Sequence, residues 1–279
     1  MAVVASVLKA TGITSGAIQL VSFLIAAPLQ TEKFFDLSGC LTFVSCVFTS
    51  IWKAQGHLDL GSLHPRQLLA TATTLTWSLK LGSFLFVRIL KDGSDKRMGD
   101  IKKKPIRFAI TWTMQAVWVF LTALPVYMIN GVPYEYQPSI SWLDYLGLGI
   151  WGVGMLTETI ADYQKFTWRL QKENKEKFIK HGLWSLSRHP NYLGEILLWS
   201  GSWIMCGGNL LSIAANHPQI LSRNTALLSL LSPLFVTGLL TKVSGIPLLE
   251  KSSDKKFGHM KEYREYKSRT PVLIPRFSN

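Results

Sequence analysis

"RHPNYLGEILLWSGSWIMCGGNLLSIAA", residues 188–215, decides the fold class. Its head crowds Arg188, His189, Asn191, Tyr192 and Glu195 into eight positions, and a long apolar run follows from Ile196. A helix of about twenty such residues spans the hydrocarbon core of a bilayer. The same pattern recurs along the chain, at approximately 12–29, 34–52, 66–88, 108–130, 141–161, 193–215 and 224–246. The first of these carries Gly12, Gly16 and Gln19 and is the weakest. Lipid offers no partner for a backbone amide, so apolar segments in series imply helices that satisfy themselves. The expectation is an all-α, polytopic membrane protein with about seven transmembrane helices.

Composition agrees. Of 279 residues 48% are hydrophobic and 17% charged, whereas a soluble domain carries about a quarter charged residues. The charge is also segregated. Counting Lys and Arg, residues 88–107 hold eight, 162–192 hold seven and 242–279 hold nine, while 131–140 hold none. Seven spans put those three segments on one side, which the positive-inside rule makes cytoplasmic. Topology thus accounts for most of the +13 net charge, with a basic cofactor site drawing on part of it and no need for a nucleic-acid partner. Residues 1–30 lack Arg, so an Arg-rich transit peptide is not expected. Cys40, Cys46 and Cys206 lie in or beside spans, and no pair has metal-ligand spacing. A single membrane domain is expected, with helices 1–4 (1–130) as a substrate side. Residues 141–279, with three helices and the tail, form the cofactor-binding half.

Polar groups at the edge of a span are the default functional candidates. The fifth span ends "GMLTETIADYQKFTWRLQKENKEKFIK" (154–180), and a continuing helix would put Glu158, Asp162, Lys165 and Arg169 on one face. A solvated helix end would look the same. In 182–201, Pro190 suits a first helical position. The helix start offers unpaired N–H groups to an anion, and Arg188 adds a forked donor. Gly194 would let a ligand approach backbone. The tail, "LLEKSSDKKFGHMKEYREYKSRTPVLIP" (248–275), supplies a short basic helix with His259, Tyr263 and Tyr266. Read plainly, that is an interfacial helix.

"SRHPNYLGE" preceded by "GLW", with "ADYQKF" some twenty residues upstream, resembles the steroid 5-alpha-reductase-like membrane proteins. The nearest likeness is the broad branch named for the C-terminal domain of that family, with sterol reductases more distant. "EKFFDLSG", "TWSLKLGSFLFVRILKDG" and "QAVWVFLTALPV" extend the resemblance over nearly the whole chain. It implies a seven-helix enzyme holding NADPH on the cytoplasmic side of its C-terminal helices. Asp162 and Lys165 would meet the adenosine or phosphate end. Arg188, His189, Asn191, Tyr192 and Glu195 would hold pyrophosphate, ribose and nicotinamide, with His259 and Tyr263 contributing from the tail. The implied reaction is hydride delivery to an activated C=C of a hydrophobic lipid entering from the bilayer. In a eukaryote the endoplasmic reticulum membrane would be the expected location.

One departure stands out. Steroid reductases of that family place a glutamate and a tyrosine in their N-terminal helices to grip the substrate ketone, and this chain has no such pair. Spans two and three offer Asp36, Trp77 and Lys80 instead. A mid-span ammonium must be paired or line a cavity, so Lys80 and Asp36 are the catalytic candidates, as a pair or with Asp36 acting as the acid. Isoprenylcysteine and phospholipid methyltransferases share much of this pattern. Their "RHPxYxG" and tail are echoed by Glu250, Phe257, Gly258, Tyr263, Tyr266 and Pro271. S-adenosylmethionine would then replace NADPH. A non-catalytic subunit on a reductase-like scaffold is the third reading.

Overall fold

The computed structural model describes residues 2–95 and 98–275. Among them there is no strand, and the chain is a series of helices. Two units follow from its internal packing. One holds Met1–Tyr145 and Ser202–Ser232, the other Leu146–Gly201 and Pro233–Asn279.

In the first unit, α1 (Ala2–Leu29) packs on α2 (Phe35–Gln55) and on α4 (Pro105–Thr122), and α2 packs on α3 (Pro65–Asp92). Each boundary has a local cause. Gly56 and Gly93 end α2 and α3 in the left-handed conformation (φ 81° and 75°) that glycine adopts without strain. Pro65 opens α3, where the missing N–H is harmless. His64 Nδ1 accepts from the Arg66 amide, and Gln67 Oε1 accepts from the His64 amide. The interior is aromatic and aliphatic. Phe43 meets Trp77 and Trp118 edge-on, at 5.1 and 4.9 Å between ring centres.

The fourth expected span, 108–130, is not one straight helix. It stops at Thr122 and restarts as α5 (Leu124–Asn130), with a bend of 54°. Pro125 causes this, because it cannot continue the hydrogen-bond ladder of α4. Every residue of α5 is buried. The seventh, 224–246, is segmented: α9 (Arg223–Leu227), a 3-10 turn, α10 (Leu231–Gly238) and a π turn at Leu239–Val243. Pro233 lies within this stretch.

Helix α6 (Trp142–Leu170), in the second unit from Leu146 onward, continues well past the expected end at 161, so Glu158, Asp162, Lys165 and Arg169 do lie on one continuous helix. After α7 (Leu183–Leu186), α8 (Pro190–Asn216), in the second unit as far as Gly201, begins at Pro190 as its sequence required. The unit ends with α11 (Ile246–Phe257) and α12 (Lys261–Arg269).

Four helical stretches, Ala2–Leu29, Phe35–Gln55, Pro190–Asn216 and Arg223–Phe257, are long and apolar enough to cross a membrane, and the bent α4–α5 pair makes a fifth. Helices α3 and α6 have the length, at 28 and 29 residues. Lys80 with the Thr and Ser residues of α3, and the polar end of α6, dilute them. Helix α1 exposes Ile13, Leu20, Val21, Leu24 and Ile25 together. Such a face is unfavourable in water and natural in lipid. The architecture is compatible with an integral membrane protein.

Candidate functional site

The second unit draws several of the expected residues into one polar cluster at the start of α8. Glycines set the spacing beneath it. A Cβ on Gly194 would lie 2.5 Å from the Glu158 amide nitrogen, and one on Gly154 would lie 2.5 Å from that of Leu198. One on Gly201 would lie 2.5 Å from the Trp151 nitrogen. As α8 advances from 194 to 201, its partners on α6 retreat from 158 to 151. The two helices therefore run antiparallel with backbones in contact, and the glycines face each other across that seam. This corrects the expectation for Gly194: its missing side chain makes room for α6, not for a ligand.

Just beyond the seam, Asn191 Nδ2 donates to Asp162 Oδ1 at 3.3 Å. Lys165, one turn further along α6, holds its ammonium 4.3 Å from the ring centre of Trp184. Trp184 is fixed in turn, its indole donating to Ala161 O at 3.0 Å. Gly182 is required here, since φ is 60° and a Cβ would strike the Gln164 amide that caps Leu183.

Around Arg188 the cluster is denser. Its Nε and Nη2 donate to the two carboxylate oxygens of Glu250, at 3.2 and 3.1 Å. His189 Nε2 lies 2.8 Å from Glu250 Oε1, and its ring stacks on Tyr192 at 5.8 Å, 9° from parallel. Lys267 Nζ reaches Glu250 at 3.1 Å and Asp254 at 2.6 Å. Tyr263 donates to Asp254 at 2.9 Å, and Tyr266 to Trp184 O at 2.6 Å. Burial pushes the Tyr266 phenol up to about 12, so it stays a donor at neutral pH. Burial alone would lower the Lys267 ammonium, but its hydrogen bonds to Asp254 and Glu250 raise it above the usual range.

Sequence reading brought Arg188, His189, Asn191, Tyr192, Asp162, Lys165 and Tyr263 into this unit. Glu195 is half-buried on α8. His259 stands apart in the exposed turn between α11 and α12, where its carbonyl accepts from Arg264. Glu250, central to the cluster, entered the sequence reading only through the methyltransferase pattern, and Lys267 and Asp254 not at all. Their signal was the spacing: Glu250 and Asp254 are one turn apart on α11, as are Tyr263 and Lys267 on α12.

In the first unit, the cation that meets Asp36 is Arg88, at 3.3 Å, a residue the sequence reading did not name. Lys80 lies 5.9 Å from the ring centre of Phe84. Among the described residues no group of His, Cys, Asp and Glu could hold a metal ion.

Among the described residues the fold is all-helical and compatible with an integral membrane protein, with a polar cluster at the start of α8. A family model described as "Protein of unknown function (DUF1295)" matches residues 22–270, so the chain belongs to that family. No curated protein and no solved structure matches it.

Proposed function

We propose that this protein is a membrane-embedded reductase that uses NADPH to reduce an activated C=C bond in a lipid, steroid or isoprenoid-like substrate. One observation carries the cofactor half of this reading. His189 Nδ1 and Asn191 Oδ1 are buried and have no hydrogen-bond partner among the described residues. A carboxylate on His189 Nε2 favours the proton there, which leaves Nδ1 an acceptor in the neutral ring. Asp162 likewise takes the Asn191 amine, so its carbonyl oxygen faces elsewhere. Buried acceptors without partners also occur elsewhere among the described residues, as at Gln115 and Asn130 in the first unit. His189 and Asn191 differ in lying two residues apart at the start of α8, and together they suit a ligand rich in hydroxyl and carboxamide donors, as a nicotinamide dinucleotide is.

The motif likeness to steroid 5-alpha-reductase-like proteins supports the same cofactor. Bound NADPH would supply a hydride. The chain's own part would be to hold the ribose or carboxamide at His189 and Asn191, with Asp162 and Glu250 fixing those two side chains. Seven membrane crossings, basic connections on the cytoplasmic side and, in a eukaryotic cell, an endoplasmic reticulum location complete the proposal.

A second reading has a specific observation behind it. Glu250 is gripped by Arg188, His189 and Lys267, and a tail glutamate is what the methyltransferase pattern features. Titration of the purified protein in nanodiscs decides between them. Thermal stabilisation and enhanced nicotinamide fluorescence with NADPH are expected; stabilisation by S-adenosylmethionine alone would overturn the reductase.

A further inference from the structure

The motif presents Arg188 as a donor for an anion, yet its fork is spent inside the protein. Besides Glu250, its Nη1 donates to the carbonyls of Lys267 and Thr270, at 2.7 and 3.0 Å. Its backbone amide donates to Pro271 O at 2.9 Å, and the hydroxyl of Ser187 to Val272 O at 3.2 Å. Two adjacent residues thus hold four carbonyls of the segment 267–272. That segment is the end of α12 and the non-helical chain after it, which makes few backbone hydrogen bonds of its own.

We propose that Arg188 is a positioning residue that straps residues 267–272 to the start of α8, and that any anion bound by this unit is met by other groups. The charges agree. Arg188 and Lys267 face Glu250 and Asp254, two cations against two carboxylates, so these four side chains leave no positive charge over for a phosphate. The side-chain type agrees too. Only a planar guanidinium can serve a carboxylate on one edge and two carbonyls on the other; an ammonium at the same position is a single point. Because Glu250 bonds both Arg188 and His189, the seating of the strap and the orientation of the His189 ring are linked.

The strap needs no nucleotide, so it is tested on the full chain in nanodiscs without ligand, by hydrogen–deuterium exchange. In R188K the backbone amides of residues 188, 268–270 and 272 should exchange about tenfold faster or more, the loss expected for charge-assisted buried hydrogen bonds. Amides in the middle of α6 and α8 should keep their protection. S187A, which removes one strap contact and keeps the arginine, should accelerate the same amides less. If R188K does not fold, S187A decides alone: tail-specific acceleration supports the strap, and unchanged tail exchange overturns it. NADPH affinity that falls in R188K while the strap stays protected would also overturn the proposal, since Arg188 would then be an anion ligand.

Discussion

Arg66 and Asp144 form a two-point ion pair, Nε to Oδ1 at 2.6 Å and Nη2 to Oδ2 at 2.9 Å, with side chains 0% and 1% exposed. The other guanidinium donors reach Gln137 Oε1 and the carbonyls of Pro138 and Ser139, while Asp144 also accepts from Ser141 and Asn209. This network fastens the connection before α6 to the first turn of α3. In D144A the buried guanidinium loses its carboxylate, at a cost of about 3–5 kcal/mol. The thermal midpoint in detergent should fall well below wild type, and R66M/D144L should recover part of the loss. A midpoint unmoved in D144A would show the pair to be dispensable.

The glycine seam makes a paired prediction. Leu at Gly154 or Gly194 would drive side-chain atoms into facing backbone, and overpacking of this kind costs about 1–3 kcal/mol. Gly149 lies on the same helix, and a Cβ added there would meet nothing within 4 Å. G149L should therefore match wild type in expression and melting, and G154L should not. Equal behaviour of the two would contradict the backbone contact.

Glu32, in the connection between α1 and α2, is buried and bonds Lys102 Nζ at 2.6 Å and the Asp95 amide at 3.1 Å. Burial pushes its carboxyl up, but the Lys102 and Asp95 hydrogen bonds win and hold it below the usual range. A depressed carboxylate stabilises the fold fully above its unfolded value of about 4.5 and loses that stabilisation as pH falls through the folded value. Melting of wild type should weaken on acidification below that point, and E32Q should be less stable at neutral pH with a flatter acid limb. Parallel curves for the two proteins would rule out this contribution.

Asn191 offers the cleanest test of the cofactor reading. N191A removes the Oδ1 acceptor and the bond to Asp162 without touching the seam. NADPH should bind about tenfold more weakly or worse, on the scale of one or two lost hydrogen bonds in a buried site. Expression and melting of the free protein should change little. Undiminished affinity would move the cofactor away from the start of α8.

Much of the architecture was legible because lipid leaves few options. Pro190 marked the start of α8, while the charged residues of 158–169 allowed α6 to run past 161 without requiring it. The bend at Thr122 was signalled by Pro125, inside an otherwise unbroken apolar run, and hydropathy averages over it. The cluster was half legible. "RHPN" marks its own position, but Glu250 lies 62 residues beyond Arg188, and nothing in either segment alone says that they meet. Arg66 and Asp144 are hidden for the same reason: each looks like an ordinary charge at a span end until the fold brings them together. Gly194 was misread because a glycine serves a ligand and a neighbouring helix equally well in sequence.

The seam of glycines acts as a gauge block. Partners across it run in step, Leu198 with Gly154, then Gly194 with Glu158, then Asn191 with Asp162. The first two pairs are set by backbone touching backbone, so the third inherits its separation from them. Tolerances at the polar site are thus machined two turns away, by residues that have no chemistry of their own.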